Sequence, residues 1–301
     1  MTEIINVKCP DCETENAHDI GFLDERDTFA GIKVEPLASR LYRCNACHLG
    51  FRAPRIAPEK ILDLYASAKL NVWKQIEPIA PWKAIYLRLE KSAPKLVLDF
   101  GCFAGDFLRL MPLQCRKFGI EPSVEGRNEA QRQGIEILGK TMSDLPPGMQ
   151  FDAITLLDVI EHVEQPSVLM RALAARLNPG GSLFVLTGAF DSLWFRLCAP
   201  RFWYCVIGEH LVFISKKWCA QFAQENDLQL VSYDPIAYDP KPMLKTLLEI
   251  MRALVYSVVV PILTRMPNTA KLLGMGRFLL WKAAPTTTAT KDHVIAVFQK
   301  K

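Results

Sequence analysis

In the stretch KLVLDFGCFAGDFLRL, residues 95–110, an apolar run leads to Asp99 and then to a small-residue turn from Gly101 to Gly105. The amphipathic start of a helix follows, from Asp106 to Leu110. Strand, glycine turn and helix form the phosphate- or nucleoside-cradling unit of an open α/β sheet, whose ligands sit at the carboxyl ends of the strands. The glycine spacing narrows the ligand. A dinucleotide fingerprint needs a third, middle glycine so that backbone can approach a pyrophosphate; here that position carries Phe103. Asp99 before the turn repels a pyrophosphate and suits a cationic ligand. Glu121 ends the strand-like CRKFGIE, placed to take both hydroxyls of a ribose.

A second constellation is Cys9-Pro-Asp-Cys12 with Cys44-Asn-Ala-Cys47. Thiolates on two such turns meet the needs of a tetrahedral structural zinc site. The strand-like segment between them, including residues 39–44, makes a zinc ribbon the natural build. Redox CxxC pairs come singly and open a helix, so a buried or redox thiol pair is the weaker account. His18 and His48 lie near enough to replace a cysteine. The module is acidic, which fits a structural or substrate-positioning unit and not a DNA finger.

The glycine turn, the acid before it and Glu121 resemble the first two motifs of the class I S-adenosylmethionine-dependent methyltransferases. Two more stretches extend the likeness. FDAITLLDVIEHV, residues 151–163, resembles the family's fourth-strand motif, with Asp158 at the strand end and Glu161-His162 past it. LNPGGSLFVLTG, residues 177–188, resembles the turn that introduces the fifth strand. Together they cover roughly residues 90–235 and the last ten. The resemblance implies S-adenosylmethionine as cofactor, held by Asp99, Gly101, Cys102, Gly105, Glu121, Pro122 and Asp158. Adenine recognition falls in the loop after the third strand, where Met142 and Ser143, beside Asp144, are the candidates. Methyl transfer is an in-line displacement dominated by positioning. An oxygen or carbon acceptor also needs a proton removed, and histidine, with its ordinary pKa near 6.5, is suited to that. His162 and His210 are the candidate bases, each preceded by a glutamate; a structural histidine bonded to backbone is the alternative for each.

The elements that must position these groups alternate as in a mostly parallel sheet with an antiparallel last strand, a Rossmann-like α/β fold. Strands are predicted at 95–100, 116–121, 135–138, 151–157, 181–187, 228–234 and 293–299. The chain divides into a zinc-ribbon module (1–57), a helical linker or cofactor cap (58–93), the methyltransferase domain (94–239 with 291–301) and an apolar, basic helical insert (240–290). In the cap, Pro58 sits near a first turn, and Ile61, Leu62, Leu64, Tyr65, Ala68, Val72 and Trp73 are the apolar positions. Pro78 and Pro81 break the run before a helix at 82–91. Tyr65 and Trp73 can reach the cofactor, although core is the commoner fate of such aromatics. The aromatic stretch 189–210 is a candidate substrate lid, and Ser215 is placed to cap the helix that follows. EHLVFIS, residues 209–215, resembles a segment of small-molecule methyltransferases of sugar and polysaccharide pathways.

The insert holds MLKTLLEIMRALVYSVVVPILTRM, whose longest apolar run is residues 253–263. That run is short of the ~20 residues of a bilayer span, which argues against a transmembrane helix. Two readings stay open: a helix buried on the sheet or at a dimer interface, or an interfacial helix docking on a membrane with help from Arg252, Arg265, Lys271, Arg277 and Lys282. Charge follows the same division. Residues 1–60 carry eight Lys/Arg against ten Asp/Glu, and residues 241–301 ten against two, within a net charge of only +4. A polar N-terminus without an apolar core lacks a secretory signal, and nine cysteines, an odd number, point to a reducing compartment. The expected location is cytoplasmic, with peripheral contact at the inner membrane face open.

The acceptor expected is a small molecule, a sugar or a lipid-linked glycan intermediate. Zinc module followed by methyltransferase domain resembles the front part of deoxysugar C-methyltransferases, stopping before the C-terminal α/β domain those carry. An RNA base methyltransferase would want a basic N-terminal module and an Asn/Asp-Pro-Pro-aromatic motif where Leu157-Asp158-Val159-Ile160 stands. A scaffold that kept the fold without catalysis would have lost Asp99, Glu121 or the glycine turn, and all are intact. Oligomeric state is not readable.

Overall fold

The computed structural model describes residues 7–23, 28–29, 32–33, 37–71, 75, 77–266, 268 and 284–301. Val72, Trp73, Lys271, Arg277 and Lys282, singled out above, lie outside them. Beyond a two-stranded piece, β2 (Thr28–Phe29) with β3 (Ile32–Lys33), the strands form two sheets. The small one runs β1 (Ala17–Phe22), β4 (Arg40–Cys44), β5 (Gly50–Ala53) and β11 (Val212–Phe213). The ribbon sheet therefore takes its last strand from the EHLVFIS segment, far along the chain.

The large sheet has seven strands in the order β12-β13-β10-β9-β6-β7-β8. They are β6 (Leu96–Phe100), β7 (Arg116–Ile120), β8 (Glu136–Gly139), β9 (Phe151–Leu157), β10 (Leu177–Gly188), β12 (Leu228–Ile236) and β13 (His293–Lys300). Strands β8, β7, β6, β9 and β10 are mutually parallel, and β13 runs antiparallel between β10 and β12. This is the sheet expected from the sequence. Its strands alternate between two cores, as period-2 side chains must. Leu98, Leu183, Val185 and Phe298 face one, shared with α4 (Pro166–Ala174) and α6 (Lys216–Glu225). Val97, Phe184, Leu186 and Val297 face the other, shared with α2 (Ala80–Ser92) and α3 (Val124–Arg132). Ser215 caps α6, its Oγ accepting from Trp218 N at 3.1 Å.

Four local expectations change. The helix after the glycine turn is a single 3₁₀ turn, Leu108–Leu110, because Pro112 forces Met111 into extended backbone (ψ 144°). Pro81 does not break α2 but sits in its first turn, where no amide hydrogen bond is lost. The Pro-Gly-Gly turn lies inside β10, as a register break between Leu177 and Ser182. In the cap, α1 (Pro58–Ala66) precedes α2. The insert forms α7, Met243–Arg265, a continuous 23-residue helix with Pro261 inside it. Counting the apolar run alone understated it: by length and composition this helix, one such among the described residues, is long enough to cross a membrane. Ala253, Tyr256 and Val260, however, pack into the chain's own core.

That core is built by the aromatic stretch. Phe190, Phe202 and Tyr204 join Trp194 and Phe195 of α5 (Leu193–Cys198) in a buried cluster with Leu41 of the ribbon and α7. Most of the stretch is thus packing between modules, and only its end, from Trp203 to His210, reaches the cavity described next.

Candidate active site

At the switch point of the large sheet, between the carboxyl ends of β6 and β9, lies a cavity of ≈ 660 Å³. The cradle end is backbone geometry first. Gly101 has φ +85° and a Cβ there would lie 2.5 Å from Val159 Cγ2, so both conformation and space demand glycine. Gly105, at φ +80°, would meet Ile135 Cδ1 at 2.0 Å. Phe103 between them has φ +43°, and its amide donates to Glu121 Oε2 at 2.8 Å. Ser123 N donates to Glu121 Oε1 at 2.7 Å. Burial pushes Glu121 up to about 7, against those two amides and the Arg127 charge. Asp99, also buried, is pushed up to about 7 despite the bond it accepts from Thr155 Oγ1 at 2.6 Å. Cys102 and Pro122 line the same wall.

After β8, Lys140 and Thr141 line the cavity, and Met142, Ser143 and Asp144 do not. Asp144 Oδ2 accepts from the Lys140 and Thr141 amides, closing its own turn; Ser143 pairs with Thr141, and Met142 packs on the core. Asp158, at φ +55°, does face the cavity. Tyr238 donates to its Oδ2 at 3.1 Å, while Oδ1 is buried with no partner among the described residues. Burial, and then the Glu161 charge, pushes it up to about 7. Trp82 Nε1, likewise buried without a partner there, lines the cavity as well. An orphaned acceptor and an orphaned donor in one cavity are places for a bound molecule's polar groups.

Beyond the cradle the structure brings both histidines together. His162 ends the 3₁₀ turn Ile160–His162 after β9, His210 precedes β11, and their rings lie 4.9 Å apart. His162 Nδ1 bonds Glu209 O at 3.0 Å and His210 Nδ1 bonds Tyr204 O at 2.9 Å. A carbonyl only accepts, so each Nδ1 carries a proton, and the lone pair of the neutral form falls on Nε2. Burial, and the neighbouring His162, hold His210 well below the usual histidine range. Glu161, fully buried, accepts from Thr187 Oγ1 at 2.9 Å and from the Tyr204 hydroxyl, and its Oε1 lies 4.0 Å from His162 Nε2. Glu161, His162 and His210 offer donor atoms within 4.8 Å of one another, a set that can also hold a divalent cation.

His293 and Tyr238 escaped sequence reading. His293, its Nδ1 2.9 Å from Asp292 Oδ1, lines the cavity beside Tyr204 and Tyr238. Burial pulls its pKa down, but the Asp292 bond and charge outweigh that and raise it. The signal was available: an antiparallel last strand starts at the carboxyl edge of its parallel neighbours, and His293 is the partner of Gly188 at the end of β10. Tyr65, left open as core or site, edges His162 at 5.2 Å and lines the cavity.

Residues 73–233 match the family described as "Methyltransferase domain", more than half of the chain. The chain belongs to this methyltransferase family. With that, the resemblance to class I S-adenosylmethionine-dependent methyltransferases becomes membership. Among curated relatives, the ubiquinone biosynthesis O-methyltransferase of Xanthomonas axonopodis pv. citri (strain 306) is 30% identical over 142 residues, 42% of this chain and 59% of that protein. That of Aeromonas salmonicida (strain A449) is 32% identical over 104 residues, 31% of this chain and 43% of that protein. The chain thus spans well under two thirds of these relatives. Among solved structures, N-methyltransferase NodS from Bradyrhizobium japonicum WM9, in complex with S-adenosyl-L-homocysteine, aligns over 81% of this chain and 98% of its own. Its identity is 15% and the TM-score 0.48.

The methyltransferase domain carries the cysteine module on its flank. Cys9 Sγ lies 3.7 Å from Cys47 Sγ, and Cys12 Sγ 3.5 Å from Cys44 Sγ, with all four sulfurs within 4.8 Å. A tetrahedron with metal–sulfur bonds of ~2.3 Å has edges of about 3.8 Å, so the set fits zinc and is far too open for disulfides. His18 and His48 are not in the cluster. Asp11, inside the first knuckle, accepts from Ser167 N at the start of α4 (2.9 Å) and from Trp218 Nε1 of α6 (2.9 Å). Arg52 of β5, fully buried, donates to the carbonyls of Cys205, Ile207 and Gly208. The module therefore grips the loop that carries His210.

Proposed function

We propose that this chain transfers the methyl group of S-adenosylmethionine to a hydroxyl oxygen of a small, lipid-linked acceptor, a glycan intermediate being the form expected from the sequence. The observation that carries the reading is the pair of Nε2 lone pairs, His162 and His210, beside a cavity whose other end is a nucleoside cradle. S-adenosylmethionine supplies an electrophilic methyl carbon on a sulfonium. Glu121 takes the ribose hydroxyls, Asp99 the amino-acid portion, and the turn between Gly101 and Gly105 the close backbone approach. His210, held neutral, accepts a hydrogen bond from a second donor of the acceptor beside the reacting hydroxyl and so aims that hydroxyl's oxygen. His162 takes the proton as the new O–CH₃ bond forms, and Glu161 faces the charge left on the ring. Relatives named as O-methyltransferases support oxygen as the acceptor atom. Ile61, Leu62, Leu169, Trp203 and Ile207 on the cavity wall suit an apolar body better than a free sugar, which would need many polar partners. We also assign zinc to Cys9, Cys12, Cys44 and Cys47, in a structural role.

Methyl-labelled S-adenosylmethionine, incubated with the purified chain and a cell extract, tests the reading by partition of the label. Label in the organic phase is the expected result. Label in small aqueous sugars would overturn the lipid linkage, and label in RNA would overturn the small-molecule class. No label, together with no S-adenosylhomocysteine binding, would leave a scaffold.

A further inference from the structure

We infer that α7 is a docking ridge for an anionic lipid surface, on which the helix lies flat without crossing. One face of α7 is spoken for: Ala253, Tyr256 and Val260 are buried against the aromatic cluster. The opposite face is a stripe at alternating four- and three-residue steps, Leu244, Leu248, Met251, Val255, Val258 and Ile262, all exposed, with Leu244 at 71% and Val258 at 60%. A 23-residue helix gives this ridge a length of about 35 Å. Leu193 and Leu197 of α5, which lies against α7, are exposed too. An apolar ridge of this size on a folded chain marks an interaction site.

Charge selects the occupant. The one acid of α7, Glu249, is half-turned inward, paired with Lys241 and accepting from Ala289 N. The exposed charges of the helix are Lys245, Arg252 and Arg265, all cationic. Lys245 and Arg252, seven residues apart, run along one edge of the stripe, where side chains reach the headgroup level while the stripe enters the acyl boundary. A second copy of the chain fits less well. A two-fold antiparallel pairing about the middle of the helix sets Arg252 against its own image, with no exposed acid on α7 to answer it. A spanning helix would have to strip Ala253, Tyr256 and Val260 out of the core. The ridge also adjoins the cavity: Tyr238 on its rim leads into α7, and Lys241 contacts Thr288, another rim residue. Docking goes beyond the proposed reaction and does not depend on it.

Flotation of the full chain with vesicles tests the inference, using phosphatidylcholine–phosphatidylglycerol mixtures against pure phosphatidylcholine. Binding to the mixed vesicles is expected, stronger than to pure phosphatidylcholine by roughly fivefold per engaged cation, and weakening as salt rises. Leu248→Glu and Val258→Glu, both on the exposed stripe, should cut vesicle binding by about tenfold or more with melting temperature and S-adenosylhomocysteine binding unchanged. Arg252→Glu should bring mixed-vesicle binding toward the phosphatidylcholine level. No flotation, or flotation indifferent to these variants, overturns the inference. So does retention through an alkaline carbonate wash, which would mean a span. A dimer in sedimentation that Leu248→Glu dissolves would make the ridge a contact between copies and overturn it as well. Retained S-adenosylhomocysteine binding in every variant keeps this outcome separate from that of the proposed reaction.

Discussion

Water normally keeps a carboxylate ionised at neutral pH, but Glu121 and Asp99 are shut away from it, and burial raises both to about 7. Their unfolded values lie near 4, so between about pH 4 and 7 the native chain holds more protons than the unfolded one, and stability falls as pH rises across that window. A ligand that hydrogen-bonds the ionised form reverses the trend. Affinity for S-adenosylhomocysteine, followed by calorimetry, is therefore expected to rise from pH 6 to pH 8 and then level off. Glu121→Gln should lower it by about 1.5–3 kcal/mol, roughly 10- to 100-fold, and flatten the profile; a pH-independent wild type would contradict this. The histidines separate in a different way. His162→Gln should cut kcat by roughly 10²- to 10⁴-fold at nearly unchanged S-adenosylhomocysteine affinity, while His210→Gln should raise the acceptor KM more than it lowers kcat. Equal effects of both on kcat alone would remove the division of labour between base and orienting group.

At the scale of elements, β5 does more than close the ribbon. Arg52 is 0% exposed and gives its hydrogens to the carbonyls of Cys205, Ile207 and Gly208, so a ribbon strand sets the backbone two residues before His210. Removing it leaves buried carbonyls without donors, each costing about 1–3 kcal/mol. Arg52→Met is expected to destabilise the chain by about 2–4 kcal/mol and to slow catalysis while S-adenosylhomocysteine binding at the far cradle persists; denaturant melts with binding titrations check both halves. This link was not legible in the sequence, since nothing in GFRA marks an arginine whose partners lie more than 150 residues away. What was legible rests on local rules. The strand pattern and the turn between Gly101 and Gly105 declare themselves by period and by φ, and the cysteine knuckles by spacing. What the structure places elsewhere needed tertiary knowledge. Met142 and Ser143 were placed by loop position, but Asp144 turns that loop on itself and leaves Lys140 and Thr141 facing the cavity. The aromatic stretch reads as a lid by composition, yet most of its rings are spent on packing ribbon, α5 and α7 together, and only its end from Trp203 reaches the cavity.

Across the whole molecule the ribbon and the sheet behave as one mechanical unit. The knuckle residue Asp11 bonds α4 and α6, Ser215 Oγ bonds the carbonyl of His48 at 3.0 Å, and Leu211 N bonds Glu161 O at 2.7 Å. A continuous chain of contacts thus runs from the sulfur cluster through β5 and β11 to the turn that holds Glu161 and His162. The zinc proposed for Cys9, Cys12, Cys44 and Cys47 would tie the two knuckles together, and zinc binding in such modules is worth roughly 10–16 kcal/mol. Metal loss should accordingly act at a distance. Elemental analysis is expected to find one zinc per chain, absent in Cys44→Ser. That variant, or the wild type after strong chelation, should melt lower and lose most of its methyl transfer. Its affinity for S-adenosylhomocysteine should change little, because Gly101, Gly105, Asp99 and Glu121 are held by β6, β7, β9 and α3, none of which belongs to the ribbon. If affinity and turnover fell together, the ribbon would be holding up the whole domain and not the acceptor end. If neither changed, the contacts from Arg52 and Asp11 would be packing without consequence for His210, and the two modules would have to be treated as independent.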